Sequence, residues 1–248
     1  MIYLDKGYIG CFEMKDRESG KRQLEEYVVQ LKAAGHKRII APIDGDTWHK
    51  YRLMSWDSGA TTFPMEPQNP IWYNDVYLDC GFTPLAKYFS VMFSIGGIEA
   101  ISADERVTYK KFETSDLRTI YDISLNGFDK NFLYDKITFG EFCKLYEPIL
   151  PMIDSDFVLI TYVDDVPCGF IFAIGVDDVF ILKSIAVLPK YRKFGIGNVL
   201  INKALLAAQA KNFKTGIGAL IIDGNISHHM VEKYGAKKIR EYILYEHN

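Results

Sequence analysis

The sequence predicts an α/β protein with a mixed sheet, laid out as two related parts. Three observations carry this. Three short apolar runs follow one another between residues 157 and 188, each closed by Asp or Pro, as in an antiparallel meander. The last of them runs into a loop with two glycines one residue apart, and an apolar helical run follows. The order strand–helix–strand–helix–Gly–strand occurs twice, with Gly81 seven residues before Tyr88 and Gly235 seven before Tyr242.

In the first part, "GYIGCFEMKD" reads as a strand and "SGKRQLEEYVVQLKAAG" as a helix closed by Gly35. "KRIIAPIDGDTWHKYRL" reads as a strand, a turn and the start of a helix. A Pro- and Asn-rich loop (Pro64 to Pro70) leads into "VYLDCGFTPLAKYFSVMF". The boundary between the parts falls within residues 96–106, giving domains of 1–103 and 104–248. In the second part, "RVTYKKF" is a strand, and Thr114 or Ser115 is placed to cap a helix over "DLRTIYDISLNGF". "FGEFCKLYEPIL" is a second helix, limited by Pro148. The strands "FVLITYV", "CGFIFAIGV" and "VFILKSIAVL" are separated by Asp164–Asp165 and Asp177–Asp178, which are turn residues before they are a metal or acid–base pair. "NVLINKALLAAQAKN" is a helix with its apolar stripe through Leu200, Ala204, Ala207 and Ala208, while Asn202, Lys203 and Gln209 fall outside it. "GALIID" is a strand, "SHHMVEKYG" a short helix, and "AKKIREYILYE" a final strand pair or one long strand.

Composition narrows the function. The chain has 248 residues, 48% hydrophobic and 25% charged, which suits a globular protein with a substantial core. A net charge of -3 offers no general attraction to nucleic acid or an anionic membrane, so any anion site is local. The opening "MIYLDKGYIG" meets Asp5 and Lys6 too early for a secretory leader, and no apolar run approaches a membrane span. Cys11, Cys80, Cys143 and Cys168 are scattered without a C-x-x-C pair, the pattern of free thiols in a reducing compartment. The cytoplasm is the expected location.

The glycine loop is the chemical signal. No G-x-x-x-x-G-K-[ST] string exists, so a P-loop is excluded. A dinucleotide fingerprint fails because Leu200 stands where the third glycine belongs. The string R-x-x-G-x-G is met by Arg192, Lys193, Phe194, Gly195, Ile196 and Gly197 at a strand-to-helix turn. A helix N-terminus presents unpaired N–H groups and a partial positive charge, glycines admit close approach, and a basic pair adds charge at the rim. That combination suits a diphosphate and calls for no metal.

This loop, the "SIAVLP" strand before it and the closing "N-x-S…YGA…YILY" segment resemble the GCN5-related N-acetyltransferase (GNAT) family over roughly residues 107–248. The resemblance implies a tandem architecture: an incomplete, cofactor-free N-terminal half followed by an acyl-CoA N-acyltransferase domain. It implies acetyl-CoA as cosubstrate, bound by Arg192 to Asn198 and by Asn225, with backbone groups of Ile185, Ala186 and Val187 pairing with the pantetheine arm and polarising the thioester. The reaction implied is direct acetyl transfer to a primary amine, most simply of a small molecule; neither nucleic acid nor membrane is expected as a partner, and a homodimer is compatible with it. Family members often use a tyrosine on the last short helix as the acid. Here that place falls at Val231, and Tyr234, about one turn away, is the only nominee. Glu141, Glu232 and Glu241 are base candidates without geometry, and the adjacent His228 and His229 cannot form an i, i+4 metal pair.

Two alternatives stay open: a non-catalytic acyl-CoA sensor, and an acyltransferase for a longer chain. Trp48, Tyr51, Arg52, Glu66, Trp72 and Tyr73 in the first part wall an acceptor pocket or, the simpler reading, pack the two halves together.

Overall fold

The structure is a computed structural model that describes residues 1–224 and 232–248. The chain forms two compact units, and no single cut separates them. The first unit takes Met1–Ser90, the chain from Leu220 to the end of its strand, and Lys238–Asn248; the second takes Val91–Ala219 and the chain leading to Lys237.

In the first unit the strands are β1 (Ile2–Tyr3), β2 (Tyr8–Ile9), β3 (Ile39–Ala41), β4 (Leu53–Asp57) and the greater part of β5 (Thr83–Ser94), with helices α1 (Arg17–Ala33) and α2 (Tyr73–Asp79). The C-terminal strand, β11 (Lys237–His247), pairs antiparallel with β3 and β4. Short strands near the N-terminus are thus stabilised by pairing with the far end of the chain. β2 runs parallel to β3, with Tyr8 opposite Ile40. Ile9, Leu24, Leu31, Ile39, Tyr77, Phe82 and Tyr245 form the core beneath α1 and α2. Asp16 caps α1: its carboxylate accepts the Ser19 N–H at 2.7 Å, closing the helix N-terminus.

Two expectations for this unit change. The strand expected over residues 7–16 shrinks to Tyr8–Ile9. No helix starts after β3. The Asp46 carboxylate accepts the N–H groups of Trp48 and His49, Gly45 and Arg52 take positive φ, and a bridge between Ile43 and Tyr51 returns the chain into β4. Residues 237–247 make one long strand, one of the two forms expected for them.

In the second unit β6 (Val107–Lys111), β7 (Val158–Val163), β8 (Val166–Val176) and β9 (Val179–Val187) form an antiparallel run. β10 (Thr215–Ile222) then joins β9 in parallel, and the end of β5 follows β10. Asp164, Asp165 and Asp177 adopt positive φ at the hairpin tips, the turn role expected of them. Helices α3 (Leu117–Gly127), α4 (Phe139–Tyr146) and α5 (Ile196–Ala210) cover this sheet over a core that includes Phe142, Phe157, Phe170, Phe172, Phe180 and Leu200. The start of α3 differs from the expected Thr114 or Ser115 cap. A 3₁₀ turn covers Thr114–Asp116, and the Asp116 carboxylate accepts the Glu113 N–H at 2.9 Å.

Asn202 also departs from its expected place outside the apolar stripe. It is 3% exposed, accepts the Ile101 N–H at 3.0 Å and donates to the Glu99 carbonyl at 2.8 Å. The segment after β5 lies over α5 and needs these bonds, because its own backbone has no strand partner there.

Candidate active site

The strand–loop–helix element lies in the second unit. β9 enters it between β8 and β10. The parallel ladder with β10 runs from Val179–Thr215 to Leu182–Gly218 and stops there, while pairing with β8 continues to Val187–Gly169. Leu188 donates its N–H to the Cys168 carbonyl at 2.8 Å. By the two-residue alternation of a strand, Ala186 also faces β8, and the backbone groups of Ile185 and Val187 face the opposite side, beyond the end of the β10 ladder. A close fit holds this stretch in place: a Cβ added to Gly127 at the end of α3 would stand 3.0 Å from the Ala186 Cβ.

The loop itself is a 3₁₀ turn over Pro189–Phe194, ended by Gly195 at φ 68°, after which α5 starts at Ile196. A Cβ built on Gly195 meets no atom within 4 Å, so the turn is open on that side. The first turn of α5 has neither a capping side chain nor an acidic residue. Asn198 and Val199 donate back to the Gly195 carbonyl, and the N–H groups ahead of them, on Ile196 and Gly197, point out of the helix end without an acceptor among the described residues. Gly197 lies in the helix rather than in the turn, so only Gly195 needs the left-handed conformation.

The basic residues divide into two kinds. Arg192 is turned back: its Nε donates to the Val187 carbonyl at 3.0 Å and its Nη2 to the Gly127 carbonyl at 3.4 Å. It ties the loop to β9 and α3, a role its spacing did not suggest. Lys193 and Lys190 are exposed, lie near the Phe194 and Tyr191 rings, and meet no carboxylate among the described residues. Arg106, from the segment before β6, lies over the Phe194 ring at 4.8 Å. Nothing in the linear spacing marks that residue.

Of the proton-transfer candidates, Tyr234 is half-buried and its ring stacks on Phe93 at 5.8 Å. Glu141 accepts the Thr138 N–H at 2.7 Å as the partner of a capping box, and Glu241 pairs with Lys238. Glu232 is exposed. Asn225, His228, His229 and Val231 lie outside the described residues. Among the described residues no group of three or more His, Cys, Asp or Glu could hold a metal ion, no helix is long and apolar enough to cross a membrane, and all four cysteines are free.

The aromatic and charged residues singled out in the first part lie in the first unit. Tyr73 is buried and its hydroxyl accepts the Met14 N–H at 2.6 Å, while Trp72 packs on its ring at 4.6 Å. Trp48 follows the Asp46 turn. The Glu66 side chain is fully buried against Arg240 (3.1 Å) and accepts a hydrogen bond from the Tyr242 hydroxyl. Tyr51 and Arg52 sit against Tyr88.

A strand whose outer backbone groups lie beyond its neighbour's ladder, followed by a glycine turn and an uncapped helix, offers strand-like hydrogen bonds on one side and helix-end N–H groups on the other. Residues 154–247 match the Acetyltransferase (GNAT) domain family. Solved structures agree on the fold. A GCN5-related N-acetyltransferase from Sphaerobacter thermophilus superposes with a TM-score of 0.64 at 12% identity, over 91% of this chain and 65% of that one. A tandem GNAT protein from the clavulanic acid biosynthesis pathway gives 0.57 at 7% identity, over 94% and 70%. A GCN5-related N-acetyltransferase from Kribbella flavida gives 0.52 at 12%, over 94% and 76%. This chain thus spans just under two thirds of the Sphaerobacter protein, and identities this low speak for the fold alone. No curated protein matches the sequence significantly.

Proposed function

We propose that this protein transfers an acetyl group from acetyl-CoA to a primary amine of a small molecule, by direct attack within a ternary complex in the cytoplasm. The observation that carries the reading is the turn at Gly195. Its left-handed backbone leaves a side at which an added Cβ meets no atom of the described residues beyond its chain neighbours within 4 Å, directly ahead of a helix whose first N–H groups have no acceptor among the described residues. Gly195, Ile196, Gly197 and Asn198 would bind the diphosphate through their main chain, with the Lys193 charge at the rim and Phe194 beside it. Arg192 supports the same site from behind by holding Val187, and Asn225 is assigned to the cofactor as well. Ile185, Ala186 and Val187 would align the pantetheine arm, the outward-facing amides of Ile185 and Val187 acting as donors. When bound, acetyl-CoA supplies the activated thioester.

The reading assigns residues 104–248 as the acetyl-CoA-binding domain and 1–103 as a half without a cofactor site. The capping box at α1 supports the second assignment, since the Asp16 carboxylate occupies the helix end that the diphosphate would need. Tyr234 is the proposed proton donor to the departing thiolate. Y234F keeps the ring that stacks on Phe93 and removes only the hydroxyl. We expect it to lower kcat about a hundredfold with acetyl-CoA affinity retained; unchanged turnover would transfer that task to water.

The stacking of Tyr234 on Phe93 and the use of Glu141 as a cap favour, as a second reading, an acyl-CoA sensor without catalysis. A thiol-release assay with acetyl-CoA and a panel of small amines separates the two. Turnover on at least one amine supports transfer, and binding without turnover on any supports the sensor. Running the same assay with longer acyl-CoA esters distinguishes acetyl transfer from transfer of a longer chain.

A further inference from the structure

A groove of about 670 Å³ opens within the first unit, with Tyr3, Cys11, Asp44, Asp46, His49 and Lys50 in its lining. Its place follows from the topology. β2 and β3 run parallel and are joined by the crossover helix α1, and the groove lies past the carboxyl ends of both strands. Cys11 follows β2 by two residues, and the turn from Asp44 to Lys50 follows β3. Crevices at the carboxyl ends of parallel strands are where open α/β sheets bind ligands, and the volume is that of a small-molecule site.

The charged groups in the lining divide into engaged and unengaged. One Asp46 oxygen accepts the N–H groups of Trp48 and His49 and lies 2.8 Å from the His49 Nδ1. Lys6 donates to the Gly45 carbonyl at 2.7 Å. Asp44 differs. It is half-buried, accepts the Cys11 N–H at 2.8 Å through one oxygen, and pairs with no cation among the described residues. Lys50 is exposed and pairs with no carboxylate among them. The backbones of these two are bonded, the Asp44 N–H donating to the Lys50 carbonyl at 2.8 Å, yet their side chains form no ion pair with each other. Both charges act on Cys11: burial pushes its thiol up to about 12, with Asp44 adding to the rise and Lys50 opposing it.

A half-buried carboxylate without a cation favours an ammonium, and the exposed ammonium of Lys50 beside it favours a carboxylate. A diphosphate fits poorly, because Asp16 closes the N-terminus of α1, the helix that follows β2. The acidic and imidazole groups here do not make a set that could hold a metal ion.

We propose that the groove past β2 and β3 binds a small zwitterion in the manner of an amino acid, its ammonium on Asp44 and its carboxylate on Lys50. The site belongs to the first unit alone and does not rest on the acyl-transfer reading.

The test uses the full chain and a panel of free amino acids. Each is paired with its N-acetyl form, which removes the ammonium, and with its carboxamide, which removes the carboxylate. Binding is read by calorimetry and by thermal shift, with acetyl-CoA titrated separately. At least one amino acid should bind at least about tenfold more tightly than its N-acetyl form, and about threefold more tightly than its carboxamide, because Lys50 is exposed and screened. D44N keeps an oxygen for the Cys11 N–H and drops the charge, so it should lose the tenfold preference. K50M changes an exposed side chain without partners among the described residues; it should lose the threefold preference and keep the other. Binding by no amino acid, equal binding of all three forms, or wild-type preferences in either variant would overturn the proposal, as would a groove that takes only diamines or only inorganic phosphate. Failure of acetyl-CoA to bind would refute the acyl-transfer reading instead, leaving the zwitterion site standing on its own titration.

Discussion

Replacing Gly195 tests the cofactor loop with two effects that separate cleanly. Gly195 holds φ 68°, and a side chain there meets no protein atom within 4 Å. G195A therefore has no steric cost inside the protein, only the left-handed backbone cost of about 1 kcal/mol. For a chain of this size that lowers Tm by about 2–4 °C. G195N should cost less, because Asn tolerates this conformation. Both variants place a Cβ in the space assigned to the diphosphate. Losing even one charge-assisted N–H contact is worth about 1.5–3 kcal/mol, so acetyl-CoA affinity should fall at least about tenfold in each. Gly35, after α1, is the control: it has φ 94° and the same empty surroundings, so G35A should reproduce the stability loss with no change in affinity. Calorimetry reports the affinity, and thermal unfolding followed by circular dichroism reports the stability. If G195N unfolds like the wild type and binds acetyl-CoA as tightly, the open side of this turn is not where the diphosphate lies, and the reasoning fails.

Glu66 and Arg240 both have fully buried side chains, so E66Q strands an arginine that keeps only Asp57 and two carbonyls, and should lower the unfolding free energy by about 3–5 kcal/mol in urea titrations. E66Q combined with R240M should recover part of that loss, and no recovery would show that the pair is not coupled. Asp156 lies between Lys111 and Lys211, whose hydrogen bonds hold its carboxyl down at about 2. A carboxyl depressed on folding stabilises above its unfolded value of about 4, and that stability is lost as pH falls toward the folded value. D156N should therefore flatten the decline of Tm between about pH 4 and pH 2, an effect that shrinks in high salt because the cluster is solvent-accessible. A decline as steep in D156N as in the wild type would contradict this.

The second half of the chain was legible because the strands of the meander are single apolar runs closed by Asp or Pro, and because Gly195, at φ 68°, stands just before a helix that it cannot belong to. The first half was not, since β1, β2 and β3 are two or three residues long, pair with one another, and meet the far end of the chain only through β3. The helix expected after β3 failed on side-chain turn chemistry at Asp46, which competes locally with helix formation. Asn202 shows the limit of periodicity: it lies off the apolar stripe yet is buried, because the segment 98–101 borrows its amide. Arg52 and Glu66 looked alike in sequence, as charges among aromatics. Their fates depend on partners from β10 and β11 that lie 168 and 174 residues away, and no local pattern reports them. Arg192 was found as part of the loop, but its direction, onto Val187 and Gly127, required coordinates.

The account rests on main-chain donors at the start of α5 holding the diphosphate of coenzyme A. The most direct measurement is a calorimetric titration of the purified chain with acetyl-CoA. A saturable heat with one site per chain, displaced by coenzyme A and lost in G195N, is the predicted result. The absence of saturable binding in a folded sample would contradict it.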